Sequence, residues 1–138
     1  MRQLLASMNG LPGWVKIWMP MLFGTNMMSI AFLDNAVGRW TAISFAAVCA
    51  FNMPMMIVQK GLTRLLALPH FLWLPLVVYL SAQLYGQDPL PPGGLRVYAT
   101  AVLALNATSL LFDGVEAYRW LKGEREVLGL TCSAARAA

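Results

Sequence analysis

Long apolar stretches alternate with short polar ones along the whole chain. Uncharged windows of 17, 20, 23 and 16 residues lie between Lys16 and Asp34, Arg39 and Lys60, Arg64 and Asp88, and Arg96 and Asp113. A helix of about 20 residues crosses a hydrocarbon core of about 30 Å. Because a charge inside hydrocarbon is costly, the pattern predicts four membrane-spanning helices, over residues 15–33, 40–59, 65–86 and 96–118.

The connections between these windows support antiparallel neighbours. Residues 34–39 and 59–64 are short polar turns, and residues 87–96 form a loop rich in Pro and Gly that cannot continue a helix. Short connections place consecutive helices side by side. We therefore predict an all-α membrane protein of a single domain, a four-helix bundle, with residues 1–13 as an interfacial segment and residues 123–138 as a cytoplasmic tail.

Composition and charge agree with a membrane location. Hydrophobic residues make up 59% of the chain and charged residues 12%, about half the charged share of soluble domains. With four crossings, eight of the ten Lys and Arg residues fall on one side, which predicts that both termini are cytoplasmic. Basic residues at span ends suit lipid headgroups, so the expected partner is the lipid bilayer and not nucleic acid. Since no targeting segment is recognisable, we expect a bacterial inner membrane.

Polar residues inside the predicted spans are the candidate functional residues. In the fourth span, Asn106, Ser109, Asp113 and Glu116 are spaced by three, four and three, which places them on one helical face. The full candidate set is Asn26, Asn52, His70, Asn106, Asp113 and Glu116. Such residues either line a polar path, with His70 and a carboxylate as a proton relay, or hydrogen-bond neighbouring helices to each other.

The two carboxylates have an alternative interpretation of their own. Asp113 and Glu116 lie near the predicted cytoplasmic surface, where Arg119, Arg64 and Lys60 are also expected. An ion-pair network there would account for both carboxylates without a gating, proton-linked or partner-binding role.

Three prolines recur in similar surroundings, WMPML, NMPMM and WLPLV. Pro20, Pro54 and Pro75 all fall in the cytoplasmic half of the predicted bundle, where they are expected to kink the helices in one layer. Proline breaks open substrate sites in some transporters, but proline is also tolerated in membrane helices without such a role.

The sequence offers little catalytic or cofactor chemistry. Cys49 and Cys132 are interpreted as unpaired thiols, and no cofactor or metal site is predicted. A haem with two axial ligands would need a second ligand besides His70, the only histidine. No hydrolase, zinc-protease or phosphate-loop motif occurs. The chain is therefore not expected to be an enzyme.

Three classes of function remain open. The first is an accessory or scaffold subunit of a membrane assembly, either homo-oligomeric or joined to other membrane subunits. The alternative is a homo-oligomeric transporter or channel for a small solute or ion that uses the intramembrane polar residues, and the second alternative is a membrane redox or haem protein. For the first class, the candidate contact surfaces are the alanines at positions 42, 46, 47 and 50 and at positions 99, 101, 104 and 107.

Overall fold

The computed structural model describes residues 2–130, so the end of the predicted tail, residues 131–138, lies outside the described residues. The α-helices are α1 (Arg2–Gly10), α2 (Gly13–Met27), α3 (Ala36–Val58), α4 (Leu74–Tyr85) and α5 (Gly94–Leu121), with 3₁₀ helices at Met28–Phe32 and Arg64–Trp73. Of the described residues, 79% are helical and none forms a strand. The all-α prediction is confirmed.

Three helices are long and apolar enough to cross a membrane. They are α3 with 23 residues, the continuous segment Arg64–Tyr85 with 22 residues, and α5 with 28 residues. These correspond to the second, third and fourth predicted spans, so the chain is a membrane protein with several candidate crossings. The first predicted span divides instead into the 15 residues of α2 and a 3₁₀ helix of five residues.

The segment Arg64–Tyr85 changes from a 3₁₀ to an α-helix immediately before Pro75. Pro75 therefore occupies the first turn of α4, where a backbone N–H is not needed for the helix. Pro69 lies inside the 3₁₀ helix. Pro20 and Pro54 lie inside α2 and α3, respectively. The role of the three predicted kinks stays a prediction.

Several polar residues are completely buried, while many large apolar side chains are exposed. Asn26, Thr41 and Asn106 have no exposed surface, whereas Val78 is 68% exposed and Leu111 is 75% exposed. Polar groups need partners inside the protein when the surroundings are hydrocarbon, and apolar side chains do not. The exposed apolar surface is therefore suited to lipid.

The core lies mainly between α5 and the segment Arg64–Tyr85. Leu80, Ala99 and Val102 are completely buried there, and Trp73 is 2% exposed. Small and β-branched residues on α5 allow α4 to pack closely against it, because close approach of backbones is what holds helices together in lipid. This packing fixes the position of the α5 face that carries the polar residues.

Helices α3 and α5 end in the same way and at the same end of the molecule. Beyond α3, the N–H of Lys60 bonds the carbonyl of Ile57 and the N–H of Gly61 bonds that of Met56. This is the Schellman pattern, which requires a left-handed residue just after the helix, and Lys60 supplies it with φ 55°. Gly123, with φ 100°, has the same role after α5. We call this end, which carries Lys60, Arg64 and Arg119, the charged end.

Candidate functional site

The polar face predicted on α5 points into the protein. Asn106, Ser109 and Asp113 are 0%, 4% and 8% exposed, and they share this face with buried Val102 and Ala117. Glu116 is half-buried nearer the charged end. The three-four-three spacing therefore corresponds to one inward-facing line of polar side chains.

Near the middle of α5, Asn106 forms a closed pair with Asn26 of α2. The Asn26 Nδ2 donates to Asn106 Oδ1 over 2.8 Å, and the Asn106 Nδ2 donates back to Asn26 Oδ1 over 3.1 Å. Asn26 Nδ2 also donates to the carbonyl of Leu22, at 2.9 Å. Both amides are completely buried. The pair joins two helices and presents no polar atom to solvent.

Closer to the charged end, a second hydrogen-bonded chain joins three elements. His70 Nδ1 lies 3.0 Å from Asp113 Oδ1, and His70 Nε2 lies 3.1 Å from Asn52 Nδ2. Ser109 Oγ donates to the other carboxylate oxygen of Asp113 over 3.0 Å. The structure thus connects Asn52 on α3, His70 on the 3₁₀ helix Arg64–Trp73, and Asp113 on α5.

The donors and acceptors of this chain assign the histidine tautomer. An ionised carboxylate only accepts hydrogen bonds, so His70 Nδ1 carries the proton that is shared with Asp113. Nε2 is then the acceptor for the Asn52 amide N–H. The Asn52 Oδ1 has no hydrogen-bond partner among the described residues. With a neutral imidazole, both ring nitrogens of His70 have a suitable partner, and only the Asn52 Oδ1 is left without one.

A second proton on the imidazole would change one contact of this chain. The Nε2 would become a donor and would face the Asn52 NH₂, which is also a donor. Rotation of the Asn52 amide by half a turn would resolve the conflict, because its Oδ1 could then accept from Nε2.

The His70 ring is held on one face as well as at its two ring nitrogens. It stacks on Trp73, with ring centroids 4.6 Å apart and an interplanar angle of 12°. Both ring nitrogens are already engaged, so a haem iron could bind His70 only if the imidazole released Asp113 or Asn52. Residues 2–130 contain no group of three or more His, Cys, Asp or Glu side chains that could hold a metal ion.

Glu116 belongs to a separate cluster at the charged end. Arg64 bonds Glu116 directly and lies 3.2 Å from Glu124, while Arg119 contacts Glu124 at 2.7 Å and Glu116 at 3.7 Å. Two cations face two anions, so the cluster is neutral. The hydrogen bond from Arg119 holds the pKa of Glu124 below the ordinary value of 4.5. Glu116 therefore has the arginine partners that the ion-pair interpretation expects, whereas Asp113 contacts His70 instead.

The polar groups lie in layers at different depths from the charged end. His70 follows Arg64 by six residues of 3₁₀ helix, which is about 12 Å, and Asp113 precedes Arg119 by six residues of α-helix, about 9 Å. Asn106 lies about 10 Å further along α5 than Asp113. The structure therefore brings five of the six predicted residues into two separate groups, and it places Glu116 with the arginines.

Two grooves on the described part of the chain lie away from these polar groups. The grooves, of about 460 Å³ and 420 Å³, are lined mainly by apolar side chains, and neither lining includes any of the six candidate residues. The larger groove lies between α3 and α4, with Ser44 and Tyr79 among its lining residues. Five of the candidate residues contact each other instead of lining either groove.

One polar junction was missed by the sequence analysis. Ser7 of α1 is completely buried, donates to the carbonyl of Leu128 over 2.5 Å and accepts from the N–H of Leu62 over 3.2 Å. Leu128 N–H in turn donates to the Leu62 carbonyl over 2.7 Å. We call the junction of α1, residues 61–63 and residues 124–130 the terminal clasp. A serine among apolar residues was the only local signal, and it does not identify partners more than 50 residues away.

Glycines allow the backbones of the terminal clasp to approach closely. A Cβ on Gly10 would overlap the backbone of Gly129, and a Cβ on Gly129 would overlap that of Ser7. Gly129 also has φ 83°, in the left-handed region that favours glycine. The clasp ties α1 to residues 61–63 and 124–130.

Comparison of the chain with protein-family models, with curated proteins and with solved structures finds no match.

Proposed function

We propose that this protein is a non-catalytic accessory or scaffold subunit of a membrane assembly. The observation that carries the proposal is the mutual pairing of its interior polar groups. Asn26 bonds Asn106, and Asp113 bonds His70 and Ser109, in each case between or along packed helices. Interhelical hydrogen bonds of this kind contribute about 0.6 kcal/mol each in membrane proteins. They account for the polar interior as structural contacts.

The proposed arrangement has four crossings. Residues 13–32 are helical without interruption, and 15 α-helical residues followed by five 3₁₀ residues give a length of about 32 Å if they continue along one axis. This length matches a hydrocarbon core of about 30 Å. With four crossings, the charged end is cytoplasmic and both termini are inside, as the basic residues favour. The proposed location is a bacterial inner membrane.

The lipid-facing surface offers a place for a partner subunit. Ala46 and Ala50 are exposed on α3 at a spacing of four, and Ala104 is exposed on α5, whereas Ala99 is buried inside the chain. Small residues on an outward face allow another helix to approach closely in lipid. We propose that the α3 alanines and Ala104 contact other membrane subunits or further copies of this chain.

A homo-oligomeric transporter or channel is the second candidate, and a specific contact favours it. The His70 to Asp113 hydrogen bond places a titratable ring and a carboxylate 3.0 Å apart at membrane depth. Such pairs serve as proton relays in pumps and transporters. The Asn52 Oδ1, which is buried and has no hydrogen-bond partner among the described residues, leaves one acceptor of this chain free.

Photo-crosslinking in the native membrane tests the scaffold function. A photoreactive residue at Ala46 or Ala104 should give a defined stoichiometric adduct, while one at Val78, a lipid-exposed position on α4, should react mainly with lipid. Native mass spectrometry then distinguishes a foreign subunit from a second copy. Equal yields at all three positions would remove the proposed contact surfaces.

A flux assay separates the two candidate functions. Purified protein in liposomes should show no proton or ion flux above empty liposomes if it is a scaffold. A flux that Asp113→Asn abolishes, while the variant stays folded and Ser44→Ala has no effect, would overturn the scaffold function in favour of transport.

A further inference from the structure

A groove between α1 and α2 combines apolar walls with one cation. Its lining residues are Met8, Asn9, Leu11, Lys16, Met19, Pro20 and Phe23. The four residues of α2 in this set are spaced by three, one and three, so they share one helical face. The volume is about 420 Å³, within the range of small-molecule sites. No acidic side chain is in the lining.

The cation stands at the end of the groove that α1 forms. Lys16 Nζ donates to the carbonyl of Asn9 over 2.6 Å, which fixes the ammonium beside α1 and leaves two of its three N–H groups free. The side chain is exposed and has no acidic partner within residues 2–130. Pro20 cannot donate to the carbonyl of Lys16, so this backbone acceptor is also released from the helix.

From Lys16 the groove continues along α2 into apolar surroundings. Phe23 follows Lys16 by seven residues, which corresponds to about 10 Å, and its ring contacts Phe45 of α3 with centroids 5.1 Å apart. Met19 lies between the two ends and supplies a flexible apolar wall. The groove is polar and cationic at one end and apolar at the other.

We propose that this groove binds an anionic glycerophospholipid of the surrounding leaflet. Its phosphate accepts hydrogen bonds from the Lys16 ammonium, and one acyl chain lies along Met19 and Phe23. The positive charge complements the phosphate, and the apolar walls complement the acyl chain. A groove of about 10 Å is much shorter than a spanning helix of about 30 Å, which makes a lipid the better fit than a partner helix. The inference does not depend on the scaffold function.

Native mass spectrometry with added lipid tests the site. The probes are phosphatidylglycerol, phosphatidylcholine with the same acyl chains, and glycerophosphoglycerol, which is the same headgroup without acyl chains. Wild-type protein should retain one phosphatidylglycerol in preference to phosphatidylcholine, and it should not retain the headgroup alone.

Two variants and a control locate the binding. Lys16→Gln removes the cation, and Asn9→Asp places a carboxylate beside it without changing its volume. Each should weaken phosphatidylglycerol binding about fivefold, equivalent to about 1 kcal/mol. Lys122→Gln removes a basic residue that is outside the groove and should leave binding unchanged. Circular dichroism of each variant verifies that the helices are intact.

The proposal is overturned by any of four results. Equal retention of phosphatidylcholine would show that the charge is not recognised, and retention of glycerophosphoglycerol would point to a free phosphate ester as the ligand. Unchanged binding in both Lys16→Gln and Asn9→Asp would place the lipid elsewhere. A groove occupied by a second copy or by another protein would appear as a protein adduct in the same spectra, with no bound phosphatidylglycerol.

Discussion

Replacement of the buried amide pair by leucine gives the sharpest test of what the polar interior does. Asn26 and Asn106 exchange two hydrogen bonds, of 2.8 Å and 3.1 Å, and both side chains are completely buried. Asn26→Leu leaves the Asn106 amide without its interhelical partner, and Asn106→Leu does the same to Asn26. The double variant removes both amides, and an apolar pair takes their place.

The burial and mutual hydrogen bonds of the two amides set the expected loss of stability in each variant. A buried polar group without a partner costs about 1–3 kcal/mol, so each single variant should be destabilised by an amount in this range. The double variant leaves no unpaired amide and should be less destabilised than the sum of the two single variants. With two interhelical bonds at about 0.6 kcal/mol each, the coupling energy should be about 1 kcal/mol, or more because each bond is shielded from water.

Reversible unfolding in mixed micelles, followed by circular dichroism, measures the four free energies of this double-mutant cycle. Thr108→Leu provides the control, because the Thr108 hydroxyl bonds only the Ala104 carbonyl of its own helix. Paired with Asn26→Leu, it should give additive changes within about 0.3–0.5 kcal/mol. A coupling between Asn26 and Asn106 no larger than that of the control pair would refute the reasoning that these amides hold the helices together.

Three further predictions concern the other polar contacts. The neutral His70 ring should carry its proton on Nδ1, which ¹⁵N NMR of the single histidine reports directly; an Nε2–H tautomer would contradict the assigned contact with Asp113. Ser7→Ala should loosen residues 124–130 by roughly 1–3 kcal/mol, since it removes both hydrogen bonds of the Ser7 hydroxyl in the terminal clasp, and unchanged amide hydrogen exchange there would be inconsistent with this. Because the folded state lowers the pKa of Glu124, its contribution to stability is present at neutral pH and is lost as the pH falls from 4.5 through the lowered pKa. The difference in stability between wild type and Glu124→Gln should therefore disappear in acid, and a difference that persists would show that the pair with Arg119 is not its origin.

The sequence contained enough information for the long helices and for the polar face of α5. Uncharged windows predict the three long apolar helices because a charged side chain is costly at any position within a membrane span. The spacing of Asn106, Ser109 and Asp113 predicts a shared face because α5 is a regular α-helix. Both inferences rest on local rules that hold wherever the helix is regular.

The partner of Asp113 could not be obtained in this way, because it depends on an irregular helix. His70 lies in a 3₁₀ segment that contains Pro69 and ends just before Pro75. Side chains three residues apart eclipse each other in a 3₁₀ helix, which explains the stacking of His70 on Trp73. If the same residues formed an α-helix, these two side chains would be offset by about 60° around the helix axis. The direction of His70, and therefore its contact with Asp113, is outside the reach of the sequence pattern.

The amide pair also connects the stability measurement with function. Asn106 lies about 10 Å further from the charged end than Asp113, so a path that begins at His70 and Asp113 must continue past Asn26 and Asn106 to cross the membrane. In a transporter, the doubly substituted leucine variant would fold and yet lose flux, since apolar side chains would close this route. In a scaffold, the same variant would keep its crosslink from Ala104, because the amides serve only to join α2 to α5. Flux therefore distinguishes the two functions, because only a transporter has a flux that the folded double variant can lose.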